Sequence, residues 1–177
     1  MIYYDTWHSP LGEIVLRAND TALTGVFFRD QKYFPALTDG WHRRSEHAPL
    51  QQARTQLADF FAGRTACFDV PLQLDGSAFQ RRVWQALARI PYGSVVSYGD
   101  IAVELGMGRE HARAVGGATG RNPISIIVPC HRVLAGNGAL TGYAGGLHRK
   151  QALLALEGAP VGAKSRGNLE LPLGARH

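Results

Sequence analysis

Cysteine is nearly missing from this chain, whose 177 residues hold two, Cys67 and Cys130. A disulfide framework or a cysteine-rich zinc site is therefore not expected, and a reducing, cytoplasmic setting is. Long apolar runs are missing too. No stretch approaches the ~18 apolar residues of a membrane helix, so no membrane partner is expected. The opening Met1-Ile2-Tyr3-Tyr4-Asp5 has no basic segment leading into an apolar one, which argues against a secretory signal. Acidic residues are the scarcer charge, 14 against 19 basic ones, for a net charge of +5. That balance favours a polyanionic partner without requiring one.

What is present is an ordinary globular composition, 45% hydrophobic, with enough length for one large domain or two small ones. Residues 1–76 read as a small α/β domain with its linker. Tyr3, Thr6-Trp7 and Ile14-Val15-Leu16 are strand-like patches broken by the turn signal Pro10-Leu11-Gly12, and Leu23 to Phe28 follows as another strand. Close succession suggests an antiparallel meander. Gln31 to Pro49 has no persuasive period and reads as a loop or a short helix. Ala53, Leu57, Phe60 and Phe61 recur at helical spacing before Gly63. His8, His42 and His47 lack metal-ligand spacing and read as surface residues. Asp69 to Gly76 carries the breakers Pro71 and Asp75-Gly76, which place the domain boundary.

Residues 77–160 read as a mainly α domain, and 161–177 as a loosely held tail. Ser77 can cap a helix to Ile90 whose apolar face is Phe79, Val83, Leu87 and Ile90. Trp84 reads as core more readily than as a stacking platform. Ser97 can cap a second helix ending at Gly106, and a third runs from about Arg109 to Gly120. Two helices joined by a short glycine-containing turn suggest a helix-turn-helix, although any αα-corner reads the same way. The third helix is rich in small residues: Ala112, Ala114, Gly116, Gly117 and Ala118. Glycine inside a helix costs about 1 kcal/mol against alanine, so something must approach this backbone closely. Tight helix packing and a nucleic-acid groove both fit. The last helix spans His148 to Leu156, with Ala152, Leu153 and Leu156 expected inward, and ends at Glu157-Gly158. An acid at a helix C-terminus opposes the macrodipole and needs compensation.

Between these helices lies Ile124-Ser-Ile-Ile-Val-Pro-Cys-His-Arg-Val133. Its β-branched run predicts a buried strand stopped by Pro129. Cys130 then stands on a rigid element where the strand breaks, with His131 beside it to help form the reactive thiolate. A lone cysteine there reads equally as a small buried hydrophobe. In an extended chain His131 would face away from the sulfur. Ala135-Gly136-Asn137-Gly138 is a hairpin signal, and Leu140 to Tyr143 would return as a small wing.

The stretches Val95-Val96-Ser97-Tyr98, Ala112 to Ala118, Asn122-Pro123, Val128-Pro-Cys-His-Arg-Val133 and Gly142-Tyr-Ala-Gly-Gly146 resemble, in order, the O6-alkylguanine-DNA alkyltransferases. The resemblance covers roughly residues 77–158, with a fainter match at Thr6 to Gly12. It implies an α/β N-terminal domain followed by a mainly α winged-helix, helix-turn-helix domain. It implies DNA repair by direct, irreversible, single-turnover transfer of an alkyl group from O6-alkylguanine, and from O4-alkylthymine, to Cys130. The partner would be double-stranded DNA bound through the minor groove by a monomer, cooperatively or not, with the target base flipped out. His131 and Glu157 would activate the thiol through a water, and Tyr98 would hold the 3′ phosphate and donate a proton to the purine. Arg113 would fill the gap in the stack. Ala112, Gly116 and Arg109 would line the DNA face, with Asn122 bridging to the acceptor strand. Backbone carbonyls of Cys130 and Val133 would read the guanine amino group. Tyr143, Ala144, Gly145 and Ser125 would line the pocket.

Two departures matter. Ala144 stands where some relatives carry serine, and Ser125 where some carry a crowding proline, which suggests room for larger alkyl groups. The cysteines of a family zinc site are absent, so no metal and no cofactor is expected. Alkyltransferase-like damage binders share the fold but lack the acceptor cysteine, which Cys130 argues against. A winged-helix regulator would not explain Cys130-His131 or the glycine-rich loop.

Overall fold

The computed structural model describes residues 1–160, and the expected tail, 161–177, lies outside the described residues. The chain forms two units. One comprises Met1–Asp75 with Pro123–Ile127, the other Gly76–Asn122 with the described residues from Val128 to Pro160.

Two turns organise the first unit. Gly12, at φ 122°, reverses the chain between β1 (Ile2–Ser9) and β2 (Gly12–Ala18), and the Ser9 hydroxyl donates to its carbonyl at 2.7 Å. The Asn19 side chain accepts from the Thr21 and Ala22 amides at 2.9 and 2.8 Å, which turns β2 into β3 (Leu23–Phe28). This Asx turn is why a polar triplet works as a hinge. β1, β2 and β3 form the expected antiparallel meander. A fourth strand, β4 (Trp41–Arg43), pairs parallel to β1, giving the order β3-β2-β1-β4. It lies in the stretch read as loop or short helix, because three residues are too few to show a period.

Helix α1 (Ala48–Phe61) lays Leu50, Ala53, Leu57 and Phe60 inward, over a sheet core that includes Ile14, Leu16, Leu23 and Phe28. His47 precedes it, half-buried, with Nε2 at 2.8 Å from the Asn19 carbonyl and its ring 4.3 Å from that of Tyr3. It is a structural residue, not the surface histidine expected.

The run before Cys130 corrects a second expectation. Ile124 makes a single bridge to Val26, and the chain then turns. Ile126 sits at φ 73°, and the Ile127 amide bonds back to the Ser125 carbonyl at 2.8 Å. A β-branched residue at positive φ is strained and held only by its surroundings; Ile124 and Ile126 are both buried. The isoleucine run encodes burial, which a strand and a buried turn share.

In the second unit α2 (Ala78–Ala88) starts from a capping box between Ser77 and Gln80. Its Trp84 is core, with the indole N–H donating to the Ala118 carbonyl at 2.8 Å. β5 (Val96–Ser97) leads into α3 (Tyr98–Glu104), capped by a second box of Ser97 and Asp100. α3 ends in a Schellman motif: Gly106, at φ 80°, donates to Val103 and Met107 donates to Ala102. A 3₁₀ turn, Arg109–His111, opens into α4 (Ala112–Gly120), so a helix-turn-helix is formed. The turn that carries Cys130 then leads to β6 (Val133–Leu134), which pairs parallel with β5, Val96 opposite Val133 and Ser97 opposite Leu134. The Ala135–Gly138 turn closes as expected, Gly138 donating to Ala135 at 2.8 Å, but Leu140 to Tyr143 does not return as a strand. The wing's pairing partner is β5 instead.

The last helix, α5 (Leu147–Glu157), rotates away from the expected face. Leu156 is exposed, and the inward stripe is Arg149, Lys150, Leu153, Leu154 and Glu157. No helix among the described residues is long and apolar enough to cross a membrane.

Candidate active site

Cys130, His131 and Arg132 form one turn of 3₁₀ helix. The Cys130 amide bonds to the Val128 carbonyl at 2.8 Å, and that of Arg132 to Pro129 at 3.0 Å. At three residues per turn the side chains fan out about 120° apart, and all three are buried. The extended geometry expected at this point is absent. The Asn122 amide donates to the Val128 carbonyl at 2.8 Å, and its side chain also hydrogen-bonds the thiol. Asn122 thus ties the end of α4 to the turn that carries Cys130.

His131 and Glu157 are fully buried, with Nε2 and Oε2 2.7 Å apart. Arg132 clasps the same carboxylate twice, Nε to Oε1 at 2.8 Å and Nη2 to Oε2 at 2.9 Å, while its Nη1 donates to the Ile90 carbonyl at 2.6 Å. The Gly93 amide adds a bond to Oε1 at 3.2 Å. Gly93 is required there: φ is 80°, and an added Cβ would lie 3.3 Å from the Glu157 carbonyl. These donors compensate the acid at the end of α5. Burial alone would raise its pKa, but the bonds from His131 and Arg132 hold it at about 2. An ionised carboxylate only accepts, so Nε2 carries the imidazole proton. Burial holds His131 below its usual pKa, that is, neutral, against the pull of Glu157. Nδ1 therefore keeps a lone pair, and it is buried with no hydrogen-bond partner among the described residues. Burial also pushes the Cys130 thiol up, opposed by the Asn122 bond and the charge of Lys150. The resting sulfur is a thiol that needs a base.

Tyr98 opens α3 beside this turn, placed by the β5–β6 pairing. Its ring passes 3.7 Å from where a Gly116 Cβ would stand, and its hydroxyl hydrogen-bonds Thr141. Burial raises its pKa, so it is a neutral donor. A cavity of about 810 Å³ is walled by Tyr98, Arg109, Ala112, Arg113, Gly116, Thr141 and Gly142, among others. That size suits a small ligand or one nucleoside. Arg113 is exposed, with no hydrogen bond or ion pair among the described residues, whereas Arg109 is paired with Asp100 at 2.9 Å. Arg113, Ala114 and Gly117 form the exposed face of α4, and a Cβ on Gly117 would meet nothing within 4 Å. Internal packing does not explain that glycine.

The sites expected from sequence divide in the structure. Cys130, His131, Glu157, Asn122 and Tyr98 converge. Arg109, Ala112, Arg113 and Gly116 line the cavity with Tyr98. Val133 is buried in β6, Tyr143 and Ala144 are half-buried, and the Gly145 carbonyl accepts from Arg149 at 3.1 Å. None of these four walls the cavity. Ser125 groups with the sheet unit, its amide bonded to Val26 at 3.1 Å. Sequence reasoning missed Arg132 as the partner of Glu157, and Lys150, whose Nζ donates to the Thr141 and Gly142 carbonyls at 2.5 and 3.0 Å. For Lys150 the signal was positional: Lys150, Leu153, Leu154 and Glu157 fall on one helical stripe.

Residues 78–159 match the family profile described as 6-O-methylguanine DNA methyltransferase, DNA binding domain, and residues 2–74 that described as its ribonuclease-like domain. A methylated-DNA--protein-cysteine methyltransferase of Mycolicibacterium paratuberculosis is 52% identical over 157 residues, 89% of this chain and 93% of its own. One of Methanosarcina acetivorans is 46% identical over 89% of this chain and 99% of its own. The crystal structure of Mycobacterium tuberculosis OGT in complex with DNA superposes with a TM-score of 0.80, at 46% identity over 88% of this chain and 92% of that one.

Proposed function

The chain belongs to the 6-O-methylguanine DNA methyltransferase family, enzymes that repair alkylated DNA by transfer to a protein cysteine, and from that premise we propose that Cys130 is the acceptor for the alkyl group of O6-alkylguanine. The carrying observation is the buried Glu157–His131 pair. It fixes the imidazole tautomer and leaves Nδ1 as the base next to a thiol that must lose a proton.

In this reading His131 Nδ1 takes the Cys130 proton through one water. The thiolate attacks the alkyl carbon, the carbon–O6 bond breaks, and the electron pair passes to the guanine. Tyr98, a neutral phenol at the cavity wall, donates a proton to the leaving purine. The alkyl carbon is already activated on the base, so the step draws on no cofactor. The resulting thioether has no route back to the thiol, which makes the protein a single-turnover reagent. O4-alkylthymine presents the same alkyl–oxygen bond and belongs to the same reading.

DNA is the partner, and we assign its contact to residues 77–160 through the exposed face of α4. Arg113, Ala114 and Gly117 present one cation between small side chains, which suits a minor groove of about 6 Å. The target nucleotide leaves the stack for the cavity beside Tyr98, and Arg113 takes its place. A monomer acting in a reducing cytoplasm, where Cys67 and Cys130 remain free thiols, completes the proposal.

Intact-protein mass after mixing with a duplex carrying one O6-methylguanine tests it. The expected result is one methyl increment on the wild type, mapped to Cys130, and none on Cys130→Ala. Tight lesion binding without a mass change would make the chain a damage-recognition protein.

A further inference from the structure

Lys150 is a buried ammonium without an acid. It has no solvent exposure, and no carboxylate lies within ion-pair distance of it among the described residues. Among the described residues its partners are the carbonyls of Thr141 and Gly142 and the face of the Tyr98 ring, 5.9 Å away. Carbonyl dipoles and a ring face solvate a cation but do not cancel its charge. Buried charges are normally paired, because desolvation is too costly otherwise.

The neighbouring charges are already accounted for. Glu157 is matched by the bidentate Arg132, and His131 is neutral. Tyr98, whose ring face meets the ammonium, is a neutral phenol. What remains is Cys130, and the two groups influence each other: the charge of Lys150 favours the thiolate, and the thiolate favours the ammonium. Burial brings Lys150 down to about 8, against the opposing pull of Cys130.

We propose that Lys150 is the counter-ion of the Cys130 thiolate, a positioning residue that stabilises the nucleophile's charge while also pinning the Thr141–Gly142 wall against Tyr98. The inference rests on Cys130 being the acceptor and divides the labour around it. His131 moves the proton, and Lys150 keeps its own while it balances the charge left behind. As the sulfur–carbon bond forms and the carbon–O6 bond breaks, the negative charge passes from sulfur to the guanine oxygen. It is then quenched by a proton from Tyr98, which the imidazolium of His131 replaces. The sulfur ends as a neutral thioether, and Lys150 has lost its partner.

The test needs no DNA, so its failure is separate from failure of methyl transfer. In a Cys67→Ser background, with one thiol left, the thiolate of the full chain is titrated by its ultraviolet absorbance, and its rate with iodoacetamide is followed against pH. Lys150→Met should move the midpoint up by about one unit and slow the reaction at neutral pH about tenfold. Lys150→Arg, which keeps a cation, should restore most of the rate. His131→Gln should leave the equilibrium midpoint nearly unmoved, because a neutral group is replaced by a neutral one. An unmoved midpoint in Lys150→Met, or a larger shift in His131→Gln, would overturn the proposal. A second measurement does not depend on the folding of Lys150→Met. The Lys150 side-chain NMR signal, titrated in wild type and Cys130→Ser, should show a lower midpoint in the serine variant, and equal midpoints would overturn the pairing.

Discussion

The sheet unit and the helical unit handle charge in different ways. In the sheet unit the core is apolar and its principal ion pair sits at the rim. Asp5 is buried, but Arg54 at 2.7 Å and Arg43 at 3.4 Å keep 28% and 57% of their side chains in solvent. These pairs tie β1 to α1 and β4. In the helical unit His131, Arg132, Lys150 and Glu157 are all buried around a thiol. An arrangement of that kind stabilises little compared with an apolar core of the same volume. In the first unit the charges hold geometry, whereas in the second the proposed function gives them a chemical use.

The comparison can be broken most forcefully at Arg132. Arg132→Met should destabilise the protein by about 3–5 kcal/mol, because it leaves the Glu157 carboxylate buried without its cation; thermal unfolding reads this directly. A smaller effect is expected with acid. Glu157 is held at about 2 against an ordinary 4.5. A folded pKa below the unfolded one contributes stability above about pH 4.5, lost as pH falls toward about 2. That limb is worth roughly 3 kcal/mol, and Glu157→Gln should flatten it in denaturant titrations. At the rim of the sheet unit, Asp5→Asn should cost about 2 kcal/mol, without touching the rate of methyl transfer. The smallest effect sharpens the contrast within the helical unit. Gly117→Ala should stabilise α4 by about 1 kcal/mol, because its Cβ meets nothing. The same change should weaken duplex binding, and unchanged affinity would remove DNA from that face.

Much of this was legible in the sequence. The N-caps Ser77 and Ser97, the Gly106 exit and the meander follow from local chemistry, and local chemistry is what a sequence displays. The proposed acceptor, Cys130, and its neighbours stood out through the Pro-Cys-His-Arg-Val box. The backbone around them was not. Ile126 at positive φ and the 3₁₀ turn at Cys130 depend on burial from outside the segment, which a run of β-branched residues does not reveal. β4 was too short to show a period. Lys150 was hidden for another reason: a lysine on a helix is expected in water, and only the rotation of α5, with Leu156 outside and Glu157 inside, turns it inward.

The most direct test of the division between the units is a paired single-turnover rate, with Glu157→Gln and Asp5→Asn each saturated with O6-methylguanine duplex. The account predicts that Glu157→Gln slows methyl transfer about 100-fold, the scale of losing a general base's orientation, while Asp5→Asn transfers at the wild-type rate despite its lower stability. Wild-type transfer by Glu157→Gln, or an equal slowing in Asp5→Asn, would contradict it.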